Sequence, residues 1–313
     1  MLLIVGGSGF IGMHAAREFL DSGEQVAATR YRTQRAPELL EELHGGRDRV
    51  TFVQLDMTDS AAVQATFERL GVTSVLNLLA PPPGAWTASE DYRANMFGLL
   101  HLLEAGERAG VRRITMASSV TVYAGLPRGP FRETQRFALE TRSPTEAFKK
   151  AEEILGLHYA ARTGLDLRFA RLSIIYGPLY HSLRNFPSRV AHAAAKARPL
   201  DLASAGHAAD AIDACYVKDV VHGLRLLHNT PKLSHTIYNL GSGLATTNEA
   251  VVQAARQVVP SFRLDLPAGS SKGAPVNPAA DIKRAQHDFG YAPRFDIAQG
   301  LVAYIDWLQR HPE

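Results

Sequence analysis

The 313 residues are 46% hydrophobic and 21% charged, an ordinary globular usage that excludes global disorder and suffices for one large core or two unequal lobes. The formal net charge is +3, with 34 basic residues scattered among 31 acidic ones, which leaves no basic tract for nucleic acid. The chain enters an apolar run at Leu2 with no basic leader, and no uncharged stretch approaches the roughly 20 residues that cross a bilayer, so a cytoplasmic protein with no membrane partner is expected.

Apolar, β-type runs at Leu2–Val5, Gln25–Thr29, Val50–Leu55, Ser74–Leu78, Arg113–Ala117 and Leu167–Leu172 are predicted strands separated by helical stretches. This alternation predicts an α/β fold, a Rossmann doubly wound parallel sheet built from βαβ units. The helical stretches keep a period of 3.6, as in Met96, Leu99, Leu100 and Leu103, with Glu104, Glu107 and Arg108 on the other side. From Tyr176 the pattern loosens into proline-bearing and alanine-rich pieces, then returns to strand order at His235–Leu240 and helix order at Asn248–Val258 and Ile297–Leu308. A cofactor-binding domain over residues 1–175, with 211–243 returning to it, and a smaller discontinuous C-terminal substrate lobe from 176–210 and 244–313 are expected. Cys215 is the only cysteine, so it forms no internal disulfide and reads as a small buried hydrophobe. No metal site is expected.

The first strand runs into Gly6, Gly7, Ser8, Gly9, Phe10, Ile11 and Gly12, and a helical pattern begins at Met13. Glycines suit this place because the chain must turn tightly, bring backbone amides to a pyrophosphate and pack the helix against the sheet. The helix N-terminus then faces the phosphates. About 20 residues on, a dinucleotide-binding fold places the residue that reads the adenosine ribose; here that position is Arg30. A guanidinium at Arg30, helped by Arg32, grips a 2′-phosphate where an acid would repel it, which predicts NADP(H) over NAD(H). The alternative is a pair of solvated charges at a strand end.

Further motifs follow in order. VGGSGFIG at Val5–Gly12, LDMTD at Leu55–Asp59, NLLAPP at Asn77–Pro82, NMFG at Asn95–Gly98, MASSVTVYAG at Met116–Gly125, RLSIIYGP at Arg171–Pro178, CYVKDVV at Cys215–Val221, YNLGSG at Tyr238–Gly243 and FGYAP at Phe289–Pro293 together resemble the extended short-chain dehydrogenase/reductases, the family of nucleotide-sugar epimerases and dehydratases and of related ketone reductases. The resemblance covers almost the whole chain. It implies a nicotinamide-dinucleotide cofactor site that includes Asp56 and Met57 near the adenine, Leu79 and Ala80 in the loop after the fourth strand, and Asn95 at the start of a long helix. It also implies a catalytic serine at Ser119 and a homodimer built from helices near Ser89–Ala109 and Pro144–Ala161.

The family's reaction centre combines a Ser or Thr with a Tyr placed four residues before a Lys, so that one helical turn brings both onto the same face. In the matching stretch Lys149 fits the lysine, but Thr145 stands where the tyrosine belongs, and no tyrosine lies between Ala124 and His158. An aliphatic hydroxyl does not ionise near neutral pH and does not replace a phenol of pKa about 10 that a nearby cation tunes downward. Glu146 is either an acid/base group or a carboxylate set favourably at a helix N-terminus. Tyr123, four residues after Ser119, either reaches the cleft or lines the pocket, as a tyrosine does there in the family.

Two positions at which the resemblance implies polar contacts to a substrate diphosphate carry Ile174 and Ile212. Each lost charge-assisted hydrogen bond is worth roughly 1.5 to 3 kcal/mol. A small carbonyl or alcohol substrate is therefore expected, with Leu179–Pro187 read as a lid, a pocket wall or simple packing. The expectation is an NADP(H)-dependent oxidoreductase with a non-standard proton donor. The alternatives are a non-catalytic NADP(H)-binding regulatory or scaffold protein, and a nucleotide-sugar epimerase or dehydratase with altered substrate contacts.

Overall fold

The structure, a computed structural model, describes residues 1–31, 49–80, 86–196 and 205–311. Strands β1 (Leu2–Val5), β2 (Val26–Arg30), β3 (Val50–Gln54), β4 (Ser74–Asn77), β5 (Ile114–Ser119), β6 (Leu167–Leu172) and β10 (Ile237–Leu240) form one seven-stranded sheet in the order β10-β6-β5-β4-β1-β2-β3. The pairs β1 with β2, β1 with β4, β2 with β3 and β4 with β5 are parallel, with Leu3 opposite both Ala27 and Val75. All four residues of β1 and of β4 are buried, the expected condition of strands covered by helices on both faces. The order reverses between β1 and β4, and open α/β sheets bind ligands at the carboxyl ends of the strands that flank such a switch.

The helices begin and end where local chemistry dictates. Asp59 caps the Ser60–Leu70 helix by accepting from the Ala62 amide, and Gly71 closes it at φ +56°. Ser143 caps the Pro144–Thr163 helix by accepting from the Glu146 amide, Pro144 occupies its first turn and Gly164 ends it at φ +77°. The sequence pattern predicts a continuous helix near Ser89–Ala109. The structure divides it into an α-helix at Ala88–Tyr92, a π-helical turn at Arg93–Phe97 and an α-helix at Gly98–Arg108. π-Helical turns cluster at functional sites. The core on this side of the sheet gathers Leu3, Val5, Phe67, Leu99, Leu102, Leu103, Met116 and Phe169; of the stripe read from the sequence Leu99 and Leu103 pack inward, whereas Leu100 stands exposed.

Two compact units divide the chain. One contains Met1–Ala124, Ala138–Arg171 and Leu224–Tyr238; the other contains Gly125–Phe137, Leu172–Gly223 and Asn239–Glu313. Residues 125–137 and 211–223 thus fall in the second unit, whereas the sequence pattern groups them with the first. For residues 125–137 the reason is non-local hydrogen bonding: the Gly129 amide donates to the Val276 carbonyl, the Phe131 amide to Ala279, and the Asn239 side chain to the Phe131 carbonyl; residues 211–216 are held by strand pairing with residues 174–176 and 246–247.

Within the second unit β7 (Ile174–Tyr176) runs parallel to β9 (Ala214–Tyr216), and β8 (Ala211–Ile212) is antiparallel to β11 (Thr246–Thr247). Helices Phe186–Lys196, Asn248–Val258 and Ile297–Arg310 pack on one another. Asp213 fastens the unit's loops, accepting from the amides of Ser242, Gly243 and Ala280 and from the Ser242 hydroxyl. Burial pushes its carboxyl above the usual range, although these donors oppose the shift. Cys215 is 1% exposed, as a small hydrophobe should be, and burial holds its thiol well above the usual range. Among the described residues no helix is long and apolar enough to cross a membrane.

Candidate functional site

The glycine-rich turn between β1 and the Phe10–Asp21 helix is built as its residue types require. Gly6 has φ +75°. A Cβ on Gly7 would lie 2.6 Å from the Ala28 Cβ, and one on Gly12 would press on the Gly6 carbonyl and lie 2.6 Å from the Gly7 Cα. No side chain fits at either place. The turn is tied to β2: the Gly6 amide donates to the Thr29 hydroxyl at 2.9 Å and the Ser8 amide to the Thr29 carbonyl at 3.1 Å. The Gly9 N-cap brings no side chain to the helix, and the first turn has no acidic residue. The positive end of the helix is thereby left to an external anion.

This turn forms one wall of a cavity of about 730 Å³, within the roughly 300–1,000 Å³ range of cofactor and ligand sites. Gly6, Ser8, Gly9, Phe10, Ile11 and Gly12 line it from the turn, Asp56 and Met57 from the loop after β3, and Leu79 and Ala80 from the loop after β4. Asp56 shapes its own loop, its Oδ1 accepting from the Thr58 amide and hydroxyl at 2.9 and 2.8 Å. The His101 ring bonds to the Met57 carbonyl at 2.9 Å. Arg30 is exposed at the end of β2 and lies between Thr29 and Tyr31, which both line the cavity; Arg30 itself is outside the lining. Arg32 lies outside the described residues.

Thr29, Trp86, Glu90, Arg93 and Ala94 also line the cavity, and the sequence reading missed them. Glu90, Arg93 and Ala94 share a helical face through their spacing of three and four residues, a signal available in the sequence. Trp86 carries no such signal, because a loop delivers it.

Lys149 is brought to the same region. Its Nζ donates to the Leu79 carbonyl at 3.1 Å and to Glu152 Oε2 at 2.8 Å, and both side chains are buried. Burial pushes the Glu152 carboxyl up, and Lys149 draws it back only in part. A small recess of about 20 Å³ is lined by Thr145, Phe148, Lys149, Asn95, Asp91 and Ala80. Thr145 and Lys149 therefore meet at one recess, and Asn95, 3% exposed, donates from its side chain to the Asp91 carbonyl at 2.7 Å within the π-helical turn.

The remaining candidates are placed differently. Ser119 ends β5, is half-buried, and accepts from the Thr121 amide at 3.1 Å. The Tyr123 hydroxyl accepts from Arg171 Nη1 at 2.8 Å and its ring lies 4.9 Å from the guanidinium carbon. Glu146 accepts from Lys150 at 2.7 Å and from the Arg142 amide at 3.0 Å. Burial alone would raise its carboxyl, but Lys150 and Arg142 hold it below the usual range. Neither Tyr123 nor Glu146 lines the cavity or the recess. Glu146 lies where a carboxylate serves a helix N-terminus, whereas Tyr123 is bonded to Arg171, which is neither of the two positions expected for it.

Comparison with known proteins places this arrangement. The chain is 29% identical to a dTDP-glucose 4,6-dehydratase of Streptomyces griseus, over 99% of this chain and 94% of that protein. It is similar to the solved structure of MoeE5 in complex with UDP-glucose and NAD, with 28% identity, a TM-score of 0.81 and coverage of 100% of this chain and 99% of that one. The fold is also that of UDP-glucose 4-epimerase from Thermotoga maritima, with 21% identity, a TM-score of 0.85 and coverage of 100% and 99%. Residues 2–241 match the NAD dependent epimerase/dehydratase family, and the chain belongs to it.

Proposed function

We propose that this protein is an NADP(H)-dependent oxidoreductase of the epimerase/dehydratase type, with its cofactor in the cavity of about 730 Å³. The observation that carries the reading is Lys149, held at the Leu79 carbonyl beside a cavity whose glycine turn presents an uncapped helix N-terminus. The donor set fits a dinucleotide: amides for the pyrophosphate, Leu55 and Met57 as apolar walls for an adenine, and a lysine beside Leu79 and Ala80 for the nicotinamide ribose. When bound, the nicotinamide supplies hydride chemistry. The chain's own part is to hold the phosphates, orient the ribose through Lys149 and exclude water.

Arg30 supports a preference for NADP(H), since a guanidinium at the end of β2 pairs with a 2′-phosphate where an acid would select the free ribose. Half-buried Ile174 and Ile212 support a small carbonyl or alcohol substrate over a second diphosphate. A nucleotide-sugar substrate is the second reading. It is favoured by whole-length similarity to proteins named for dTDP-glucose and UDP-glucuronate. In either case the unit of Met1–Ala124, Ala138–Arg171 and Leu224–Tyr238 acts as the cofactor domain and the other unit as the substrate lobe. A homodimer is proposed through the helical stretch from Ala88 to Arg108 and the Pro144–Thr163 helix, because Tyr92, Phe97, Leu100, Ile154 and Leu155 all stand exposed there.

The test is a parallel fluorescence titration with NADPH and NADH, followed by hydride-transfer assays on small aldehydes and ketones and on UDP-glucose. NADPH binding with turnover of a carbonyl is the expected result. Failure to bind either nucleotide overturns the reading, and binding without turnover of any of these supports a regulatory dinucleotide-binding protein.

A further inference from the structure

Asp91 lies in the short helix that precedes the π-helical turn and is 8% exposed. Its backbone is committed, the amide donating to Thr87 and the carbonyl accepting from Asn95. Among the described residues its carboxylate has no hydrogen-bond or ion-pair partner. Its oxygens are not among the buried side-chain atoms that lack a partner, so the carboxylate keeps access to water, which solvates a charge that the protein leaves unpaired. The recess of about 20 Å³ that it lines with Thr145 and Lys149 exceeds the roughly 10–15 Å³ that a single water requires. Suitable polar groups surround it. The Lys149 ammonium has three protons and uses two, on Leu79 and Glu152, and the Thr145 hydroxyl has no hydrogen-bond partner among the described residues.

We propose that Asp91 is the proton-exchanging carboxylate of this site, working through one water in the recess and the Thr145 hydroxyl. The proposal rests on the oxidoreductase reading above. In the direction of alcohol oxidation the substrate O–H bond breaks and its proton passes to the Thr145 oxygen. Thr145 gives its own proton to the water, and the water gives one to the Asp91 carboxylate. When bound, the oxidised nicotinamide would take up the C–H electron pair as hydride, so that the alcohol would become a carbonyl and the nicotinamide its reduced form; carbonyl reduction would run the same steps backwards. Thr145 need only exchange protons and never ionise, and a carboxylate supplies the titrating group that an aliphatic hydroxyl lacks. The titratable groups at the recess are Asp91, Lys149 and the Lys149 partner Glu152.

The test compares the full-length wild type with Asp91→Asn and Asp91→Glu. A high-resolution crystal structure of the wild type is expected to show a water bonded to the Asp91 carboxylate in the recess; a dry recess overturns the proposal. NADPH affinity and thermal midpoint are expected to be unchanged in both variants, because Asp91 is outside the lining of the large cavity. With the best substrate from the panel of small aldehydes, small ketones and UDP-glucose, Asp91→Asn is expected to lower kcat by about 100-fold or more with little change in KM. Asp91→Glu should recover part of that loss, and the carboxyl limb of the kcat pH profile should disappear in Asp91→Asn only. An Asp91→Asn enzyme that keeps both its kcat and that limb overturns the proposal while leaving the oxidoreductase reading intact. A wild type that binds NADPH but transfers hydride to none of these substrates overturns both.

Discussion

Arg171 holds Glu153 through two parallel bonds, Nε to Oε1 at 2.9 Å and Nη2 to Oε2 at 2.6 Å, with both side chains 2% exposed. The Ser118 hydroxyl donates to the same carboxylate and the Tyr123 hydroxyl accepts from the same guanidinium. Burial works against the charged guanidinium, but Glu153 more than compensates and raises its pKa. Breaking one member of such a pair leaves the other charge buried without its partner. Arg171→Met is therefore expected to cost roughly 3–5 kcal/mol in urea denaturation. The double variant Arg171→Met/Glu153→Met should regain a good part of it, and equal losses in the single and double variants would show that the pair is not the source.

Arg30→Asp should reverse nucleotide preference. A carboxylate at the end of β2 repels a 2′-phosphate and accepts from ribose hydroxyls, so the ratio of NADPH to NADH affinity is expected to fall by at least about tenfold, the equivalent of one charge-assisted contact. Parallel titrations decide it. An unchanged ratio removes Arg30 from the site.

Gly12→Ala inserts a methyl group into backbone, with the Gly7 Cα 2.6 Å from the new atom. Backbone cannot turn aside as a side chain can, and overpacking costs roughly 1–3 kcal/mol. The expected outcome is a lower thermal midpoint and a loss of NADPH affinity of about tenfold or more. Full affinity would mean that the turn can shift without loss of the phosphate site.

His228 is buried, bonds through Nδ1 to the Thr115 hydroxyl at 2.9 Å and meets the Phe19 ring edge to face. Burial first, then Arg112 and Arg113, lower its pKa from 6.5 to about 3. Between those two values the unfolded chain binds a proton that the folded chain refuses. Stability is thus lost as pH falls below 6.5, by up to about 1.4 kcal/mol per pH unit. Urea midpoints measured at pH 7 and pH 5 should differ by more in the wild type than in His228→Gln, and equal differences would refute the assignment.

Leu100→Glu and Ile154→Glu place charge on side chains that are 43% and 55% exposed. If these helices form the homodimer interface, either change should shift sedimentation from dimer to monomer with little effect on the folded chain, since surface substitutions usually stay within about 0.5 kcal/mol. A wild type that already sediments as a monomer removes the interface.

What the sequence determined by itself is local. The strand runs, the glycine turn and the Asn248–Val258 helix follow from periodicity and residue type, because backbone conformations at glycines and the burial of alternating apolar residues are set within a few positions. The absence of a tyrosine at Thr145 is likewise read directly from the chain. The tertiary structure decided whatever depends on residues far apart meeting. Residues 125–137 join the second unit through bonds to residues 276–279. The π-helical turn interrupts a helix whose apolar stripe looks continuous. Glu146 turns to Lys150 and Tyr123 to Arg171, while Asp91, silent in the sequence, shares a recess with Thr145 and Lys149. The physical reason is the same throughout: a side chain's type limits which partners it can accept, and only the packed fold determines which of them lies within reach.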